Sequence, residues 1–179
     1  MTLVAIAIGI HALAVVVTIA IMEYFRQTHI DFGEYDDVQG LSFVKQPGYW
    51  KYRLVKQHDH EWASKPRAAG ALLKQESINL GCAASVTRTG VTLKPGYAWD
   101  GSSGPAKDTW TGMRASALHD IWCQAMANRI YVRGFHNWSL GAREYRRVCI
   151  ADHMPKWRAW GRYVAVWCYG RLKYRHLRR

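Results

Sequence analysis

Asp100, His119, Asp120 and Asp152 are the residues of this 179-residue chain whose types can carry acid–base and metal chemistry together. A neutral imidazole takes a proton from water when a carboxylate fixes its tautomer and stabilises the imidazolium that forms. His119 and Asp152 would make that dyad. Asp120, next to His119 but on a neighbouring helical stripe, is left to bind a hard cation with Asp100 and the loop backbone at Gly101. Such a cation polarises a substrate carbonyl and stabilises the oxyanion formed when water attacks. Carboxylates and carbonyls suit Ca²⁺, and Mg²⁺ or Mn²⁺ equally.

The elements that must position these groups are a loop and two helices. The glycine-rich loop 96–110 carries Asp100 and Gly101, and a helix beginning near Thr111 carries His119 and Asp120. Ser116, His119, Cys123 and Met126 recur at three- and four-residue steps and share one face of it. After a polar break at 127–139, a second helix from about Leu140 to Asp152 places Tyr145, Val148, Cys149 and Asp152 on one face. Helices joined by a short loop pack antiparallel. A register that sets His119 opposite Asp152 also sets Cys123 opposite Cys149, within reach of a disulfide. The same residues have a plainer reading: Asp100 and Asp108 cap turns, His119 and Asp152 form a buried polar pair, and the two cysteines are buried thiols.

The rest of the chain supplies a setting. Leu3 to Met22 is apolar apart from His11 and Thr18, long enough at about 1.5 Å per residue to span a bilayer core. No basic residue precedes the run and no A-x-A site follows it, so residues 1–22 read as a transmembrane anchor of a single-pass membrane protein rather than a cleaved signal. The basic flanks do not set its orientation. An acidic spacer, 23–42, follows, and then one α+β domain, 43–179. Its β region, 43–95, has strand-like stretches at Tyr49–Val55 and Ala83–Leu93, with Gly90 a turn or bulge, and predicts a small antiparallel sheet. Between them His58-Asp59-His60-Glu61 has metal-ligand residue types without a second cluster to complete a site, and reads as a solvated charged loop. The helical region is 111–179. Four cysteines at irregular spacing exclude a disulfide scaffold or a zinc ribbon.

A net charge of +12 calls for an anionic partner, lipid or nucleic acid. Nine Trp and ten Tyr, many beside Lys or Arg, suit a membrane–water interface. From Lys156 to the end there is no acidic residue. On the closing helix, Trp157, Trp160, Val164 and Trp167 make an apolar stripe, while Arg158, Arg162 and Tyr169 lie away from it. Trp157, Arg158, Trp160, Arg162, Arg171 and Lys173 are accordingly the candidate lipid-facing residues. For the stripe itself the favoured reading is packing on the two-helix core, with the tail from Arg171 left exposed to contact lipid or nucleic acid. No recognition motif points to a sequence-specific nucleic-acid reader.

Two resemblances follow from these residues. Gly96, Tyr97, Asp100, Gly101, Ser102, Ser103 and Pro105, then His119-Asp120, Ala151-Asp152 and the closing Arg158, Ala159, Tyr163, Ala165, Val166 and Gly170, resemble a phage- and prophage-encoded family of unknown function. Its hallmarks are a GF-x-x-D-G-A-S-x-P loop, an HD pair, an AD pair and an R-A-x-x-x-Y-x-A-V-x-x-x-G helix. More loosely, the loop, the HD helix and the partner Asp are similar to phospholipases of the A2 type. That similarity implies His119 as base, Asp152 as its orienting group, Asp120 and Asp100 as Ca²⁺ ligands, and Cys123 and Cys149 near a cross-link. It departs where paired cysteines would precede the HD, since Arg114 to Leu118 stand there, and where an aromatic would follow it. The expected function is a membrane-anchored, phage-encoded phospholipase or esterase that hydrolyses or engages lipid. A noncatalytic phage structural or membrane protein, touching other phage structural proteins, and a basic nucleic-acid-associated membrane protein are the alternatives.

Overall fold

Tyr52, Arg53 and Leu54 alternate buried, exposed, buried, as in a strand with one face on a core. That pattern organises the first half of a computed structural model that describes residues 36–38, 40–67, 78–80, 83–102 and 108–173. The predicted anchor, most of the spacer, positions 103–107 of the glycine-rich loop and the last six residues lie outside the described residues. Among the described residues no helix is long and apolar enough to cross a membrane.

The fold is α+β, with two small antiparallel sheets ahead of three helices. One sheet runs in the order β1 (Asp36–Val38), β2 (Leu41–Lys45), β3 (Tyr52–Leu54), β8 (Ala98–Trp99). The other runs β4 (His58–Glu61), β7 (Gly90–Leu93), β6 (Ala84–Val86), β5 (Ile78–Leu80). Thus the end of the expected spacer is sheet, because Leu41 and Phe43 are buried and Phe43 pairs with Leu54. The expected charged loop at His58–Glu61 is also sheet. Pairing of His58 with Leu93 and His60 with Val91 fixes its register and turns both imidazoles inward, leaving Asp59 and Glu61 exposed. Gly90 opens β7 rather than forming the turn; a Cβ there would collide with the His60 carbonyl.

Helix α1 (Trp110–Ala127) follows an extended Thr109. Helix α2 (Phe135–Ala151) begins five residues before the expected Leu140. Asn137, expected to break the chain, instead uses its side chain outside the helix: Oδ1 accepts from the Arg67 backbone N–H at 2.8 Å, and Nδ2 donates to the Arg67 and Val132 carbonyls. Helix α3 (Lys156–Lys173) starts just after Pro155. One core joins sheets and helices, with Phe43, Trp99, Leu93, Met113, Ile121, Trp122 and Val148 at its centre.

The two-helix register differs from the expected one. Arg114 of α1 meets Asp152 at the end of α2, the His119 ring meets Tyr145, and Trp122 lies against Gly141 and donates from Nε1 to the Asn137 carbonyl. His119 therefore faces Tyr145, seven residues and about two turns short of Asp152. The helices are antiparallel as expected, but slid along each other, because the Trp122 indole needs the side-chain-free surface of Gly141.

Candidate functional site

Asp108 organises the loop that was expected to hold a cation. Its carboxylate accepts from the Ser102 backbone N–H at 2.5 Å and from the Tyr52 hydroxyl at 2.9 Å, and lies 3.8 Å from the Lys51 ammonium. Gly101 has φ +83, and a Cβ at that position would run into this carboxylate. Glycine at 101 thus serves the turn and the close approach of Asp108.

From this loop a polar chain enters the interior. Arg162 of α3 is only 6% exposed. Its Nη1 donates to the Ser102 hydroxyl at 3.2 Å and the Tyr145 hydroxyl at 3.3 Å, and Nη2 to Thr109 Oγ1 at 3.5 Å. Gly112 leaves the space the guanidinium occupies. Burial pushes the Tyr145 hydroxyl and the Cys149 thiol each up to about 12, against the pull of Arg162, so both stay protonated at neutral pH.

His119 sits beyond Tyr145 among rings. It meets Trp138 edge-on at 5.4 Å and Tyr145 at 5.7 Å. Cys123 Sγ lies 3.8 Å from both of its nitrogens. Cys123 and Cys149 are thiols, and no disulfide joins them, which corrects the expected pairing. The register explains it, since Cys149 lies beside Tyr145 and Arg162.

Asp152 is 2% exposed and belongs to Arg114, which donates from Nε to Oδ2 at 3.2 Å and from Nη2 to Oδ1. Burial raises its pKa and Arg114 opposes that; the other charges it feels are those of His153 and His60. Among the described residues, then, the carboxylate is taken by Arg114 and not by His119. The charges of Asp100 and Asp120, by contrast, act on one group. Both charges reach the buried Tyr97 hydroxyl and, after burial itself, push its pKa well up, while Gln124 Nε2 donates to it at 3.4 Å. Among the described residues no three His, Cys, Asp or Glu side chains gather as a ligand group for a hard cation.

The sequence reading missed a second cluster, on the other sheet. His60 Nε2 lies 2.8 Å from Glu144 Oε1, which places its hydrogen on Nε2, because a carboxylate only accepts. Arg147 donates to the same carboxylate from Nη2 at 2.5 Å and from Nε, and the Ala63 N–H approaches at 3.4 Å. Burial alone would raise the Glu144 pKa; the bonds from His60 and Arg147 outweigh it and hold it below the usual range. Beside it His58 gives Nδ1–H to the Gly40 carbonyl at 3.2 Å, while its Nε2 is buried without a partner among the described residues. Burial lowers the His58 pKa, the Gly40 bond resists, and the charges of Arg114 and His60 lower it further. The only sequence signal for this cluster was period two in HDHE.

The closing helix is turned with its arginine inward. Ala159, Arg162 and Gly170 are buried, and a Cβ at Gly170 would overlap the Trp138 indole, whose Nε1 donates to the Trp167 carbonyl at 3.2 Å. Trp157 is 56% exposed, Trp160 53% and Leu172 72%, and Gly161, Ala165, Cys168 and Tyr169 are exposed with them. Of the candidate lipid-facing residues, Trp157 and Trp160 face outward, Arg158 is half-buried, and Arg162 is corrected to an interior position because Ser102, Thr109 and Tyr145 satisfy it there. Arg171 is exposed and stacks over Trp167 at 5.2 Å and Phe135 at 5.9 Å. The Lys173 side chain lies outside the described residues.

Comparison with protein-family models, with curated proteins and with solved structures finds no match.

Proposed function

We propose that this chain is a noncatalytic phage-type membrane protein whose folded domain engages anionic lipid through the outer face of α3. The observation that carries the reading is the orientation of that helix: Trp157, Trp160, Ala165, Cys168 and Leu172 share its solvent side while Arg162 points into the protein. Helical apolar surface left in water, rich in Trp and bordered by cations, suits the interfacial layer of a bilayer. Lys156 and Arg171 border it, and no acidic residue follows Asp152. The apolar run from Leu3 to Met22 adds a means of holding the domain at such a surface.

Cys168 makes the reading testable. In the full chain reconstituted with phosphatidylcholine vesicles, its labelling by a water-soluble maleimide should slow several-fold when phosphatidylglycerol is included and recover in high salt. A Cys168→Ser variant supplies the background from other thiols. Labelling that ignores lipid charge would overturn the proposal.

A Ca²⁺-dependent lipid hydrolase is the second reading, favoured by the charges of Asp100 and Asp120 acting together on the Tyr97 hydroxyl. Fatty-acid release from the same vesicles, dependent on Ca²⁺ and lost in His119→Ala, would replace the noncatalytic reading with it.

A further inference from the structure

The tip of the β2–β3 hairpin carries a second outward aromatic feature, far in sequence from α3. Tyr49 is 76% exposed and Trp50 43%. Their rings stand edge to face, 4.9 Å apart at 86°. The six-residue tip, 46–51, is held by its own bonds. The Gln46 N–H donates to the Lys51 carbonyl and Gln46 Nε2 to the Trp50 carbonyl, each at 2.8 Å. Gly48, at φ +108, supplies a conformation that side chains disfavour. The aromatic pair is therefore displayed on a preformed turn, which lowers the ordering cost of docking it.

The surroundings say what it docks against. Between Asp37 and Asp59 the chain has no acidic residue, while Lys45, Lys51, Arg53 and Lys56 are all exposed there. An amphipathic aromatic pair ringed by cations matches the headgroup layer of an anionic bilayer, with rings at the acyl boundary and ammonium and guanidinium groups at phosphate level. The tip is also tied to α3. Tyr52 and Lys51 at its base meet Asp108, Asp108 accepts from the Ser102 N–H, and the Ser102 hydroxyl accepts from Arg162. Hairpin and helix are thus braced on one loop rather than joined by a flexible linker.

We infer that Tyr49 and Trp50 form a second lipid contact, inserted at the headgroup layer of an anionic membrane. The inference rests on the lipid reading of α3.

Tryptophan placement separates the two. All nine Trp lie between positions 50 and 167, none in the apolar run, and the large hydrophobics left exposed include Trp50, Trp157 and Trp160. In the full chain reconstituted into phosphatidylcholine–phosphatidylglycerol vesicles, lipid brominated near the headgroup end of its acyl chains should quench part of the emission. Trp50→Phe should remove one share of the quenchable emission, and Trp157→Phe with Trp160→Phe another, with unfolding midpoints unchanged because the sites are exposed. If Trp50→Phe leaves quenching at the parent value while the α3 variants lower it, the hairpin contact is wrong and the α3 reading stands. If neither lowers it, both fall. If Trp50→Phe instead weakens salt-sensitive binding of a single-stranded oligonucleotide and leaves lipid quenching intact, the tip is a nucleic-acid contact and the inference is overturned.

Discussion

His60 and His119 sit in different regions of the molecule, and in the region without the recognisable motif the imidazole meets a buried carboxylate at 2.8 Å. His119 lies in an HD pair on a long helix, yet its ring is lodged against Trp138, Tyr145 and the Cys123 sulfur. His60 lies in a charged tetrapeptide that reads as loop, yet it holds a buried carboxylate 84 positions away, which Arg147 also binds. Ion pairs follow from which faces of which elements meet, and an acidic neighbour in the chain says little about them. If that is the right distinction, the two regions should answer differently to substitution.

The largest effect is expected at Glu144. Alanine there leaves the nearly buried His60 ring beside a hole without its carboxylate, while Arg147, which is exposed, can turn to water, and breaking a buried pair by removing one partner typically costs about 3–5 kcal/mol. Urea unfolding of the full chain, followed by tryptophan emission, measures it. A loss below about 1 kcal/mol would mean that the cluster is a surface feature and the contrast with His119 is false. Asp152→Ala comes next. Arg114 keeps some exposure and can turn to water, so a loss of about 2–3 kcal/mol is expected, at the upper end for a lost charged hydrogen bond. If His119→Ala and Asp152→Ala prove strongly coupled in a double-mutant cycle, the dyad that the HD motif suggested would have to be reinstated.

What the sequence disclosed and what it hid divide along the same line. The α+β order, the antiparallel helix pair and the start of the last helix after Pro155 could be read, because they depend on local periodicity and on proline. The helix register could not. It turns on Gly141 admitting Trp122, a contact between residues 19 positions apart that hydrophobic pattern does not record. An error of two turns was enough to substitute Arg114 for His119 at Asp152. The orientation of α3 was hidden for a related reason: a stripe containing Trp157 and Trp160 looks like a core face until Gly170 is seen against Trp138 and Arg162 among hydroxyls. Gly101, which the metal reading singled out, serves the close approach of Asp108, a residue that only the plainer reading of the loop named, as a turn cap.

Acid should separate the regions by a smaller margin. His58 has its folded pKa lowered from 6.5, so the folded protein resists a proton that the unfolded chain accepts. Its contribution is constant above pH 6.5 and falls as pH drops below that value, levelling off below the folded pKa. Glu144, depressed from 4.5, stabilises above that value and loses its contribution as pH falls through its folded pKa. Asp152, raised from 3.8, has the opposite sign and offsets part of the second loss. The urea midpoint should therefore begin to fall just below pH 6.5, before any carboxylate with an ordinary pKa titrates. His58→Gln should remove that first segment and leave the second. The groups facing His58 are Arg114, His60, Asp59 and the Gly40 carbonyl, so a first segment that survives His58→Gln would assign it to some other group.

The smallest effect is expected at the motif residue itself. His119 contributes a ring wedged edge-on between Trp138 and Tyr145, and a phenylalanine ring of similar size keeps those contacts. Volume-conserving changes of this kind usually cost less than about 1.5 kcal/mol. His119→Phe keeps those ring contacts and loses the polar contacts of the imidazole, so its stability loss should be smaller than that of His119→Ala, with lipid engagement unchanged. His119→Ala removes the wedge and should cost more. A base acting on water gives the reverse pattern, since phenylalanine abolishes a proton-accepting nitrogen as completely as alanine does. Equal loss of Ca²⁺-dependent fatty-acid release in both variants, with the larger loss of stability in alanine, would establish that the imidazole nitrogen, and not the ring, is what position 119 supplies.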